Sequence, residues 1–183
     1  MSWDKSRMQE LEARVLLTTK GKRPMLDVPF IRFRYEPEQE LQCISEFNAL
    51  AKRLRAKEIS VETIWLNKWM LEALGQIDNI EKLQENEKSN RTTIFQDLSN
   101  IETGLPFLIA SRLISHLSDK DISHCVILLR VGSMFPFIHV SSLLTLLEGK
   151  VRCTLVIPYP GKDGEMLNYR GNSVRSYYRG EII

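Results

Sequence analysis

The chain is poor in the residues that staple small proteins or bind metals. It has three cysteines, Cys43, Cys125 and Cys153, among 183 residues. Their number is odd, no two are close, and no CxxC occurs. That argues against a disulfide scaffold or a zinc ribbon and fits a reducing, cytoplasmic setting. Cys125 and Cys153 fall inside apolar runs and read as core filler. Histidine is equally scarce: His116, His124 and His139 are the three. No two have ligand spacing on one element and no HExxH occurs, so no metal is expected. No apolar run approaches the ~20 residues that span a bilayer. The opening MSWDKSRMQE is too charged for a signal peptide. A formal charge of +2 is too small to argue for nucleic acid by itself.

Phosphate-binding signatures are also missing. GxxxxGK[ST] does not occur, and GxGxxG does not occur because Gly132 has no second glycine within range. GKR at 21–23 has no Ser or Thr after it. The first predicted strand runs into Glu36, Pro37 and Glu38, where negative side chains and an absent amide are wrong for phosphate. Ser141 and Ser142 lack a GxSxG elbow. No catalytic motif is found, so neither enzymatic activity nor a cofactor is expected.

What is present is an ordinary globular balance, 43% hydrophobic and 26% charged, in a length that suits a single domain over 1–183. Trp3, Met8, Leu11 and Val15 predict a helix, and TTKGKRP a basic loop, within 1–27. FIRFRY (30–35) alternates like a strand; the ordinary reading of Arg32 and Arg34 is solvation at a strand edge, the functional one cations added to the side of the tyrosine–arginine patch at 175–179. Leu41, Ile44, Phe47, Leu50 and Leu54 continue as a helix to about Lys57, and 59–65 returns to strand. Asn67 is placed as the cap of a short helix ended by Gly75. The polar stretch 78–103 predicts a helical excursion interrupted near Ser89 and Asn90. TGLPFLIASRLISHL is a firmer helix, with Phe107, Leu113, Ile114 and Leu117 inward. CVILLRV (125–131) is apolar on both faces, as a central parallel strand should be. PFIHVSSLLTLLEG predicts a helix closed by Gly149, then a buried strand over 151–157 and a last strand over 177–182. This order gives a single-domain, three-layer α/β/α fold with a mainly parallel, Rossmann-like sheet and no Walker A or GxGxxG motif.

An open parallel sheet places its ligand crevice beyond the carboxyl ends of its strands. Gly132, His139, Gly161 and Asp163 fall there and are the crevice candidates. For His139 the ordinary reading is a residue on a helix face, and the functional one a base or anion donor. For Asp163, before Gly164, a turn is favoured over catalysis. In SVRSYYRGEII, Tyr177 and Tyr178 point to opposite faces if extended. One of them, with Arg175 and Arg179, forms a tyrosine–arginine patch. Such patches are enriched at protein interfaces and also serve single-stranded nucleic acid; the near-neutral charge favours protein.

Three segments together resemble a known family: VPFIRFRYEPEQEL, VGSMFPFIHVSSLLTLL, and IPYPGKDGEML with SYYRGEII. The specific parts are Gly132, Phe135, Pro136 and Phe137; Pro160, Gly161, Asp163, Gly164 and Leu167; and Tyr177, Tyr178 and Arg179. In this order and spacing they are similar to the BrxB family, small cytosolic proteins of BREX phage-defence operons. His139 and Ser141 stand where members often carry an arginine and a histidine. The resemblance implies a non-catalytic interaction or assembly role in defence. It implies a PglZ-like phosphatase-superfamily partner first, and the AAA-type ATPase or the methyltransferase of the same system next. A degenerate nucleotide-binding domain and a nucleic-acid-binding accessory protein are the alternatives; no membrane partner is expected.

Overall fold

The structure, a computed structural model, describes residues 3–22, 29–77, 80–161 and 181–183. Among the described residues five parallel strands form one sheet: β1 (Phe30–Tyr35), β2 (Ser60–Trp65), β3 (His124–Leu129), β4 (Thr154–Pro160) and β5 (Glu181–Ile182), in the order β2-β3-β4-β1-β5. The described α-helices are α1 (Lys5–Thr19), α2 (Glu40–Ala56), α3 (Leu66–Ile77), α4 (Ile80–Leu98), α5 (Leu105–His116) and α6 (Val140–Leu147). β1 and β2, joined by α2, are not neighbours; β4 and β3 lie between them.

Handedness explains the layers. The chain leaves β1 for the far edge through α2, then returns strand by strand through α3–α5 and α6. Right-handed crossovers in opposite directions put their helices on opposite faces. One face buries Ile31, Phe33, Tyr35, Ile127, Leu129 and Val156 against α1 and α2. The other buries Phe30, Ile64, Val126, Leu128, Leu155 and Ile157 against α3, α5 and α6. Successive residues of one strand thus serve different cores, and the three-layer α/β/α expectation holds.

The amino-terminal stripe is as read. Trp3, Met8, Leu11 and Val15 are buried, Asp4 caps α1 by accepting the Ser6 and Arg7 amides, and Trp3 stacks on Phe33 with centroids 5.6 Å apart. Several finer expectations change. Leu41 is 81% exposed; the buried stripe of α2 is Cys43, Phe47, Leu50, Ala51 and Leu54, and Leu41 sits two positions from it, on the opposite side of the helix. Phe107 is exposed for the same reason, two positions from Leu105 and Ile109. Asn67 and Gly75 lie inside α3, which starts directly from β2; Gly75 faces solvent, where a helical glycine is tolerated. Arg32 is 3% exposed, because β5 lies outside β1 and makes β1 an inner strand. α4 has non-helical backbone at Asn90, where the polar run suggested a break.

The last apolar run is shifted. β4 starts at Thr154 and runs through both prolines to Pro160. Leu155 donates its N–H to Pro29 O and Gly161 donates to Tyr35 O, each at 2.9 Å. Odd-numbered residues of β4 therefore face β1, and Pro158 and Pro160 face the β3 side. There the ladder stops at the Ile127–Val156 pair, so the missing proline donors break no sheet bond.

Candidate functional site

β1, β3 and β4 end side by side at the carboxyl edge of the sheet. β1 sends its chain to one face through α2, and β3 sends its chain to the other through α6. The crevice expected of such a reversal lies across the end of β4, and among the described residues Arg130 and Glu40 meet there.

Arg130 ends β3 at φ 64°, a left-handed conformation that costs a non-glycine residue roughly 1 kcal/mol. Local bonds hold it: its carbonyl accepts the Ser133 N–H at 3.1 Å and the Ser133 hydroxyl at 2.7 Å. Its guanidinium reaches over β4 to Glu40 Oε1 at 3.3 Å. The other oxygen of Glu40 accepts from the Tyr35 hydroxyl. Burial, then the bond to Glu40, raises the Tyr35 pKa far above its ordinary range, and burial followed by the Glu40 charge raises Cys43 likewise. Tyr35 is thus fixed as a neutral donor and Glu40 links the two diverging strands. Sequence reading missed this trio. Tyr35 read as a strand residue, and no local pattern links Glu40 with Arg130, ninety positions away.

Beyond Arg130 the chain makes a short 3-10 turn, Val131–Met134, and a cis Phe135–Pro136 bond. His139 lies just before α6, in extended backbone, and its side chain makes no cap bond; it is the N-cap position rather than a helix-face residue. Its ring meets Phe135 edge-on at 5.7 Å. Gly132, Phe135, His139, Tyr159 and Pro160 line a cavity of about 40 Å³. The structure therefore brings Gly132 and His139 together, with Gly161 adjacent through its bond to Tyr35. Asp163, Arg175, Tyr177, Tyr178 and Arg179 lie outside the described residues.

His116 and His124 are placed elsewhere. His124 begins β3 and contacts Asp121 Oδ1 at 3.0 Å. His116 contacts Glu62 Oε1 at 2.6 Å. Among the described residues no three His, Cys, Asp or Glu side chains gather to hold a metal ion, and no helix is long and apolar enough to cross a membrane.

A second, larger concavity runs beside β2, the edge strand. It has about 630 Å³ and is lined by β2, by Lys68, Trp69 and Glu72 of α3, and by Arg112 and His116 of α5. Arg112 lies 4.3 Å over the Trp69 ring and pairs with Glu72 at 2.6 Å. Glu62 takes His116 and, at 3.6 Å, Lys120. Trp69 and Arg112 are 43 positions apart, so no motif search would join them.

The family model for the BREX protein BrxB matches residues 59–182. The chain belongs to the BrxB family. It is accordingly a component of a BREX defence system. The BrxB match takes in β2 and its groove, the Arg130 turn, the Gly132 step and β4. Of the segments that carried the resemblance, VPFIRFRYEPEQEL lies before the matched residues, together with Tyr35 and Glu40. Comparison with curated proteins and with solved structures finds no match.

Proposed function

We propose that this BrxB chain is a non-catalytic assembly component whose direct partner is the PglZ-like protein of its own BREX system. The observation that supports this reading is the narrowness of the crevice among the described residues. Where an α/β enzyme opens a ligand site, the described residues Gly132, Phe135, His139, Tyr159 and Pro160 line a cavity of about 40 Å³, and the Glu40–Arg130 pair lies beside it. A site for a nucleotide-sized ligand needs on the order of 300–1,000 Å³. Tyr177, Tyr178, Arg179 and Arg175 are the proposed contacts, on residue type: tyrosine and arginine carry disproportionate binding energy at interfaces.

Co-expression of the tagged chain with the PglZ-like protein, the methyltransferase and the AAA-type ATPase of its operon, followed by purification at two salt concentrations, tests this. The expected result is a salt-resistant complex containing the PglZ-like protein, weakened by Tyr178→Ala or Arg179→Ala without a change in melting temperature. A complex with none of the three, together with stabilisation of about 2.7 kcal/mol by ATP, GTP or S-adenosylmethionine at ~100 times the dissociation constant, would replace it with nucleotide binding at Gly132, His139, Gly161 and Asp163. A steep loss of DNA or RNA binding with salt would instead favour the nucleic-acid reading.

A further inference from the structure

We propose that β2 is a self-association edge: a second copy of this chain adds its own β2 antiparallel to the first, across a two-fold axis through Thr63. The inference does not depend on the assembly role, since it concerns the chain alone.

The hydrogen-bonding register shows what the edge offers. Thr154 and Val156 of β4 face β3, so His124, Val126 and Leu128 bond toward β4, while Cys125, Ile127 and Leu129 bond toward β2. With Val61 opposite Cys125 and Trp65 opposite Leu129, Ser60, Glu62 and Ile64 complete that ladder. Val61, Thr63 and Trp65 then direct their backbone groups away from the sheet. The Arg55 guanidinium agrees with this phase, since it caps the Val61 carbonyl from outside at 2.9 and 3.2 Å. That arginine is exposed, and an incoming strand can displace it.

An antiparallel strand bonds in pairs of residues whose backbone groups face each other. A two-fold through Thr63 sets Thr63 against its own copy, and Val61 against the partner copy's Trp65, twice. Both are favourable cross-strand combinations, threonine with threonine and aromatic with β-branched. The side chains of Val61 and Trp65 lie on the same face, toward α1 and α2, so each indole would cover the valine of the other copy. Moving the axis to Glu62 would set two carboxylates directly opposite, which is unfavourable. Of these two registers, the one centred on Thr63 is the self-complementary one.

The surroundings favour a second copy over a strongly charged partner. Most of the groove's charged groups meet partners within it: Arg112 pairs with Glu72 and Lys120 with Glu62, Glu62 also contacts His116, and Lys68 lies 5.9 Å over the Trp65 ring. An isologous interface needs such internal balance, because it meets itself. The strand itself has no lysine or proline, and of the devices that blunt an exposed edge it carries Glu62 and the displaceable Arg55 cap.

Sedimentation equilibrium of the full chain, up to about 0.1 mM, tests the proposal. Wild type is expected to be a dimer. Thr63→Lys and Thr63→Glu each place like charges in opposition on the axis and should weaken it about tenfold or more; mixing the two variants should restore the dimer. Thr63→Pro removes an outward donor without touching the β2–β3 ladder and should be monomeric with an unchanged circular dichroism spectrum. A wild-type monomer throughout this range overturns the proposal. So does a dimer that survives both Thr63→Lys and Thr63→Pro, or a charge-swapped mixture that stays monomeric. A monomeric wild type that takes up the PglZ-like protein at this edge gives the strand a different occupant and likewise overturns it.

Discussion

Gly132 and the ring of Pro160 are in such close contact that a β-carbon on Gly132 would fall 2.7 Å from Cγ and 3.2 Å from Cδ of the proline. The chain leaving β3 can cross the end of β4 only because one residue has no side chain and the other, lacking a donor, leaves no ladder bond unmade. Gly132→Ala is expected to cost about 1–3 kcal/mol as overpacking, read as a lower urea midpoint. The double variant with Pro160→Ala should recover part of that loss; equal loss in both would show that the contact is not what excludes alanine.

Glu58 gives a prediction of opposite sign. It follows α2 at φ 63°, with its N–H on Arg55 O and the Ile59 N–H on Leu54 O. Gly21 follows α1 in the same motif, at φ 63°, with bonds to Thr18 O and Leu17 O. This closure favours glycine, and any other residue is strained there. Glu58→Gly should stabilise the fold by about 1 kcal/mol, seen as a higher midpoint at constant slope.

The three thiols should be inert in the native state. Burial pushes Cys125 up to about 12 and Cys153 to about 11, and raises Cys43 further; each is buried, and the thiolate is the reactive form. A thiol reagent at neutral pH should label none of the three in the folded protein and all three in guanidinium. Rapid native labelling of any one would contradict its packing.

Acid should loosen the contact between α1 and α2. Burial opposes ionisation of Glu12, but hydrogen bonds from Lys57 at 2.6 Å and Arg53 at 2.7 Å outweigh it and depress its pKa. Asp121 is lowered to about 2, first by Ser123 and then by His124. A depressed carboxyl stabilises the fold above its unfolded pKa of roughly 4 and loses that contribution as pH falls through its folded value. The melting temperature should therefore decline below about pH 4. Glu12→Gln should flatten part of that decline while costing about 1 kcal/mol at pH 7.

Elements were legible in the sequence where periodicity and burial agree. β3 and β4 are apolar on both faces because helices cover both. The α1 stripe and the break at Asn90 were readable because polarity alone marks them. Leu41 and Phe107 were misassigned because apolar character does not fix helical phase; the turn before α2 and Pro106 at the start of α5 do. The site was less legible. Gly132 and His139 were placed at the right edge by the rule for open parallel sheets. The Glu40–Arg130 bridge and the Trp69–Arg112 stack depend on which strands become neighbours, and that order is a property of the whole sheet. Nor did any local feature show that β1, with its alternating arginines, would be an inner strand.

That position of β1 bears on how the protein is made. Phe30 is opposite Leu155, and Ile31 opposite Glu181, while Arg7 donates to the carbonyls of Arg34 and Ile183. A ribosome releases β1 long before either neighbouring strand exists. Until then its apolar side chains and unpaired backbone can be shielded only by α1, α2 or a chaperone. The β2–β3 half can pair much earlier, so synthesis should leave the amino-terminal third waiting for the final strands. A nascent chain stalled before residue 154 should carry a protease-sensitive β1 beside an already resistant β2–β3 unit.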